Sequence, residues 1–308
     1  MMKAVAVNNM VKTYGSKKEI VKALNDISFT VEKGELFGII GPDGAGKTSL
    51  FRILTTLLLA DSGTASVDEL DVLKEYKQIR NRVGYMPGKF SLYQDMTVEE
   101  NLEFFASIFN TSIEANYNLV KDIYVQIEPF KDRRAGKLSG GMKQKLALCC
   151  ALIHKPSVLF LDEPTTGVDA VSRKEFWEML KDLKKQGITI LVSTPYMDEA
   201  AMCDRVALMQ AGKIMSIDTP GNIIGKFGKQ IWAVRSEEMY RLLKDLKNYP
   251  NTESCNSFGE YHHLVLKTES KDGEEVLKYL QQHQHKNIGI IAAQPNIEDC
   301  FMQLMNNN

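Results

Sequence analysis

Residues 41–48 read GPDGAGKT and follow the apolar run ELFGII at 35–40. A G-x-x-x-x-G-K-[ST] segment after a strand demands a strand–loop–helix unit, which ties the chain to a parallel α/β sheet. Gly41, Gly44 and Gly46 let the backbone curl around Pro42, Asp43 and Ala45. Successive N–H groups then point at one spot, with the positive end of the next helix behind them. Such a spot suits phosphates. Lys47 would reach the β- and γ-phosphates of a nucleotide, and the Thr48 hydroxyl, beside Ser49, would meet Mg²⁺. A turn that binds nothing has no need of the helical SLFRILTTLLL that follows at 49–59.

A metal carried by a nucleotide also needs a carboxylate, and SVLFLDEP at 157–164 supplies one. Asp162 ends a buried strand, where it can hold Mg²⁺ through water, and Glu163 can act as general base on an attacking water. Between these motifs lies LSGGMKQK at 138–145. Ser139 is a good helix N-cap, and Gly140 and Gly141 bare the backbone at the helix start. That end suits a phosphate presented by another surface. The helix is expected to show Met142, Leu146, Cys149, Cys150 and Ile153 on one side.

Further strands are expected at ITILVS (188–193) and RVALM (205–209), continuous apolar runs of the kind buried between helices. TVEENLEFFASIF (97–109) reads as a helix, with Thr97 and Glu100 at capping-box spacing. A boundary falls near IDTPGNIIGKFGK (217–229), rich in Gly and Pro. Beyond it the order β-α-β-β-α-β suggests a ferredoxin-like sandwich. Lys plus Arg is 38 against 39 Asp plus Glu, so no net basic field exists to grip nucleic acid. Apolar runs such as LALCCALI (146–153) are too short to span a bilayer, and MMKAVAVNNM reads as no secretory signal. Five cysteines without metal-type spacing read as reduced thiols in a cytosolic chain. His262–His263 and His283-x-His285 read as solvated, and KDRR (131–134) as a solvated loop.

In this order, GPDGAGKT, LSGGM and LFLDEP resemble the nucleotide-binding cassette of ABC transporters across about residues 4–220. The resemblance implies an α/β P-loop NTPase with a RecA-like parallel sheet in 1–220 and a helical ABC subdomain at about 88–155. The second domain, 228–308, is then a regulatory or dimerisation unit. It also implies ATP and Mg²⁺ as ligands, and two cassettes sandwiching two ATP molecules. The signature Leu138, Ser139, Gly140, Gly141 and Met142 of each then caps the γ-phosphate held by the other. Tyr14 matches the adenine-stacking aromatic, and Asp169 in TTGVD the D-loop aspartate. KFSLYQDMTVEENL (89–102) resembles the stretch that meets a membrane permease in ABC-2 drug-resistance exporters, whose C-terminal segments resemble QPNIEDCFMQLM (294–305).

Two positions depart from that pattern. Gly88 in YMPGKF stands where the family has its Q-loop Gln, and Pro195 in VSTPYMDEA stands where it has the H-switch His. Glycine offers no ligand, and proline neither a side-chain donor nor an N–H. The expectation is a cytoplasmic ATPase subunit, peripheral on the inner face of the plasma membrane and driving a separate permease. It would pair with a second cassette, as a homodimer or, preferably, as the weaker half of a heterodimer. The alternatives are a soluble ABC ATPase acting on nucleic acid or in translation, and a non-hydrolysing structural cassette.

Overall fold

The computed structural model describes residues 2–16, 19–89, 92–268 and 273–306. The chain divides between Pro220 and Gly221 into two compact units. The first opens with two long strands, β1 (Lys3–Ser16) and β2 (Glu19–Glu32). Then follow β3 (Leu36–Ile40), α1 (Lys47–Leu54), β4 (Ser62–Val67), β5 (Leu70–Asp71), α2 (Tyr76–Arg82) and β6 (Val83–Met86). Three helices interrupt the strands: α3 (Val98–Ile108), α4 (Ile113–Tyr124) and α5 (Gly140–Leu152). The unit finishes with β7 (Val158–Asp162), α6 (Ala170–Lys185), β8 (Thr189–Thr194), β9 (Arg205–Gln210) and β10 (Lys213–Asp218).

The central sheet runs β10-β9-β3-β8-β7-β6, parallel throughout except for β10 against β9. Every residue of β3, β7 and β8 is buried, which is why these strands read as unbroken apolar runs. Phe51 of α1 meets Phe160 of β7 edge-to-face at 5.6 Å, worth about 1 kcal/mol beyond burial. The helix start at Thr97 carries both capping-box bonds, Glu100 N–H to Thr97 Oγ1 and Thr97 N–H to Glu100 Oε2. Asn101, fully buried, binds both the N–H and the C=O of Tyr93, each at 3.0 Å, and so pins the preceding loop onto α3.

A second sheet, β2-β1-β4-β5, is antiparallel and shares its core with the first. Its alternation is broken where Asn9 and Asp26 take positive φ and bond to each other, so no clean period of two marks it. The helix after the glycine loop stops at Leu54 rather than running to Leu59. Thr55 turns its hydroxyl back onto Phe51 C=O, and Arg80 holds the Thr56 carbonyl and hydroxyl. In α5 burial is not confined to one side: Leu148, Ala151 and Leu152 are buried with Leu146, Cys149 and Cys150.

The second unit comprises α7 (Pro220–Gly225), which begins at the boundary, β11 (Ile231–Arg235), α8 (Met239–Asn248), β12 (Thr252–Phe258), β13 (Tyr261–Leu266), α9 (Glu274–Gln282), β14 (Gly289–Ala293) and α10 (Ile297–Asn306). Its sheet is antiparallel in the order β12-β13-β11-β14, the ferredoxin-like arrangement of a β-α-β-β-α-β chain. Trp232, Val234 and Leu264 of the sheet pack with Leu242, Leu246, Val276 and Leu280 of α8 and α9. The histidines are not the solvated residues that the sequence suggested. His262 and His285 are buried, His285 on Asp245 and His262 on the Met239 carbonyl, and His263 bonds Asp299 at 2.8 Å. Only His283 of the four is exposed.

All five cysteines are free and buried. Burial pushes the Cys149, Cys150 and Cys203 thiols far up, Cys255 to about 12 and Cys300 to about 11, so the neutral form prevails at pH 8. A disulfide reagent at that pH should therefore titrate essentially no thiol in the native chain and all five after unfolding in guanidinium, read by absorbance.

Candidate functional site

The glycine loop is held from behind by two strands. A Cβ on Gly41 would lie 2.1 Å from the Met209 carbonyl of β9, and one on Gly46 would lie 2.1 Å from the Ala23 carbonyl of β2. Gly46 also has φ 106° and Gly44 φ 77°. α1 begins at Lys47 with no acid in its first turn, which leaves its positive end to an anion. Lys47 is 3% exposed. Its ammonium donates to Gly41 C=O at 2.8 Å and Pro42 C=O at 3.0 Å, and pairs with Glu163 Oε1 at 3.1 Å.

β7 brings the carboxylates to the same place. Asp162 is 2% exposed, accepts from Ser193 Oγ at 2.5 Å and lies near the Thr48 hydroxyl. Burial raises its pKa, and Glu163 adds to that, while the Ser193 hydrogen bond, the Thr48 hydroxyl and nearby Lys47 act the other way. Glu163 has φ 50°, a conformation that costs about 1–2 kcal/mol outside glycine, and its N–H is tied to Ser193 C=O at 3.0 Å and Ser193 Oγ at 3.1 Å. Hard divalent cations take oxygen ligands. The adjacent Thr48 hydroxyl and Asp162 carboxylate are such a donor set, so the residues fit Mg²⁺. Ser193 was not singled out by the sequence, because a lone hydroxyl after an apolar run carries no periodic signal.

Tyr14 stands at the same loop, its hydroxyl 3.1 Å from Ser49 Oγ. Neighbouring Thr13 and Lys12 are fixed by Asp61, whose pKa those bonds lower to about 2. Gly88 lies against the backbone of Asp162: a Cβ there would be 3.0 Å from the Asp162 carbonyl and 3.7 Å from Glu163 Cβ. Pro195 directly follows β8 and Thr194. The position where a Gln is expected thus has its backbone beside Asp162 and no side chain.

The signature residues sit elsewhere, at the start of α5. Ser139 caps the helix, accepting from Met142 N–H at 3.4 Å, with Ser139 and Gly140 exposed and Leu138 buried. A Cβ on Gly141 would come 2.8 Å from Ser172 Oγ, so α5 and α6 meet at their N-termini. Asp169 caps α6, accepting from Val171 and Ser172 N–H. A further feature is an apolar cavity of about 420 Å³ between the central sheet and the helical insert. Met86, Gly88, Leu92, Phe105, Phe109, Cys150 and Glu163 line it. Of the 89–102 stretch, Phe90 and Ser91 lie outside the described residues. Among the described residues no helix is long and apolar enough to cross a membrane.

Loop, carboxylate pair and capped glycine helix on this sheet define a P-loop nucleotide-binding cassette. The ABC transporter family profile matches residues 24–166. The probable multidrug ABC transporter ATP-binding protein YbhF of Escherichia coli is 37% identical over 98% of this chain and 52% of its own length. The chain thus spans about half the length of that relative. The daunorubicin resistance ATP-binding protein DrrA2 of Streptomyces coeruleorubidus is 32% identical, over 98% of this chain and 94% of its own length. A solved dimeric cassette, MJ0796 in a post-hydrolysis state with ADP and Pi, aligns with TM-score 0.64 and 26% identity, covering 70% of this chain and 98% of that one. The chain belongs to the ABC transporter family, as an ATP-binding cassette.

Gly44 and Gly46, two of the three loop glycines, should respond differently to alanine. Gly46→Ala meets both a positive φ and the Ala23 carbonyl, and should cost about 3 kcal/mol or more. Gly44→Ala meets only the φ, with nothing within 4 Å, and should cost about 1 kcal/mol. Urea denaturation of the two variants measures the difference.

Proposed function

We propose that this chain is the ATP-binding subunit of an ABC export system of the ABC-2 type, driving a separate membrane permease by binding and hydrolysing ATP. Lys47 would leave Glu163 for the β- and γ-phosphates, releasing that carboxylate to take a proton from the attacking water. Thr48 and Asp162 would hold the Mg²⁺ that neutralises phosphate charge. Tyr14 would lay its ring on the adenine. The names of drug-resistance and multidrug relatives support export. The apolar cavity beside Gly88 would receive a permease segment, placing the chain peripherally on the inner face of the plasma membrane.

One observation carries the finer reading: the backbone of residue 88 abuts Asp162 with no side chain to offer, while the signature at the start of α5 is complete, with Ser139 and Gly140 exposed. A site combines one cassette's P-loop half with the other's signature. A second, complete cassette would therefore make one whole site with Ser139, Gly140 and Gly141, and leave this chain's own half holding ATP more than cleaving it. The same observation favours, as second reading, a cassette that uses ATP only to join the pair.

Two measurements test this. Lys47→Ala should raise the dissociation constant of a fluorescent ATP at least about tenfold, which is about 1.4 kcal/mol; an unchanged constant refutes the loop assignment. In the complex reconstituted with its second cassette and permease, Ser139→Arg should nearly abolish ATP hydrolysis while Glu163→Gln costs much less. Equal damage from both removes the asymmetry, and no hydrolysis above background in the unmutated complex favours the joining role.

A further inference from the structure

The end of β8 faces two ways. Ser193 serves Asp162 and the Glu163 N–H, as described above. Thr194 turns instead to Glu199, donating from Oγ1 to Oε2 at 2.5 Å while accepting from the Tyr196 N–H at 3.1 Å. The other oxygen of Glu199 accepts from Thr165 Oγ1 at 2.7 Å, two residues beyond Glu163. Glu199 is 2% exposed and touches no atom of the glycine loop through these bonds. A carboxylate so buried costs several kcal/mol unless both oxygens are bonded and a counter-charge is near.

The counter-charge is Arg173, in the first turns of α6. Its Nε is buried, lies 3.9 Å from Glu199 Oε1 and has no hydrogen-bond partner. The guanidinium rests 4.4 Å over the Tyr196 ring. An approach of about 1 Å would turn this ion pair into a charge-assisted hydrogen bond. The unbonded Nε at the start of α6 is therefore placed to gain a contact with Glu199, while Nη1 of the same guanidinium lies 3.7 Å from Asp198 Oδ2. Ser172, the neighbour of Arg173, is the residue on which Gly141 of the signature closes.

We propose that Glu199 is a positioning residue for ATP hydrolysis. It fastens the segment carrying Glu163, Thr165 and Asp169 to the end of β8, and through Arg173 and Ser172 it sets where the signature end of α5 stands. It does so beside Pro195, which brings no hydrogen-bond donor to that duty. The proposal rests on the reading of Asp162 and Glu163 as the residues that serve Mg-ATP.

The chain has two tryptophans, and Trp177 lies one turn beyond Arg173 with its indole N–H buried and unbonded. In a Trp232→Phe background Trp177 alone reports on α6. Saturating ATP should shift its emission, and Glu199→Gln should abolish the shift while the dissociation constant for fluorescent ATP stays within about twofold. In the reconstituted complex, single-turnover hydrolysis at this chain's own site, isolated by inactivating the partner's P-loop, should fall on the order of 10- to 100-fold in Glu199→Gln. Thr165→Ser, which keeps the hydroxyl, should hydrolyse within about twofold of the unmutated chain, and Thr165→Val should fall as far as Glu199→Gln. If Ser and Val behave alike at position 165, or if Glu199→Gln leaves both the emission shift and the rate intact, Glu199 is an ordinary buried acid and the proposal is overturned. Failure of the unmutated chain to bind ATP would instead overturn the reading of the site, and this proposal with it.

Discussion

Everything at the site leans on one buried cation. Lys47 is almost wholly out of solvent, and an ammonium there is tolerable only because two loop carbonyls and Glu163 surround it. That requirement fixes the curl of residues 41–46, since Gly41 and Pro42 must turn their carbonyls inward. The curl in turn lets β9 and β2 approach so closely that a methyl group on Gly41 or Gly46 has nowhere to go. Glu163, the third partner of Lys47, has an unfavourable φ, which the double tie of its N–H to Ser193 sustains. A phosphate that took Lys47 from the carbonyls and the carboxylate would free all three of these partners at once.

Much of this was legible in residues alone because it depends on local pattern. The strands β3, β7 and β8 are buried on both faces and show as unbroken apolar runs; the Thr97–Glu100 box is a spacing of three; the second unit's strand order follows from its alternation with two helices. What was not legible depends on partners distant in sequence. The β1–β2 pair hides its period behind the Asn9–Asp26 irregularity. His263 and His285 look like surface residues until Asp299 and Asp245 arrive from other elements. Ser193 and Glu199 matter through bonds across 31 and 34 residues, to Asp162 and Thr165, and no window along the chain contains both ends.

Gly88 and Pro195 show the opposite case, in which the sequence spoke and the geometry set its scale. A missing side chain could have been replaced from a neighbouring position. The backbone at 88 lies so near the Asp162 carbonyl that a Cβ would sit 3.0 Å from it, although the cavity beside it is open. The carboxylates, the loop and the signature are nonetheless all kept. A chain that needed none of them for nucleotide would have little reason to hold Glu163 in a strained conformation.

The rims of the central sheet have a meaning of their own. One rim is β10, which runs against the grain of the parallel strands, carries Lys213 and Asp218 at its ends, and lies beside β2. The other is β6, four residues long. Neither presents a long, flat row of unpaired amides and carbonyls, which is how sheets avoid adding strands from a neighbour. Crowded copies of such a chain can therefore meet along the rims of this sheet without fusing into a continuous ribbon.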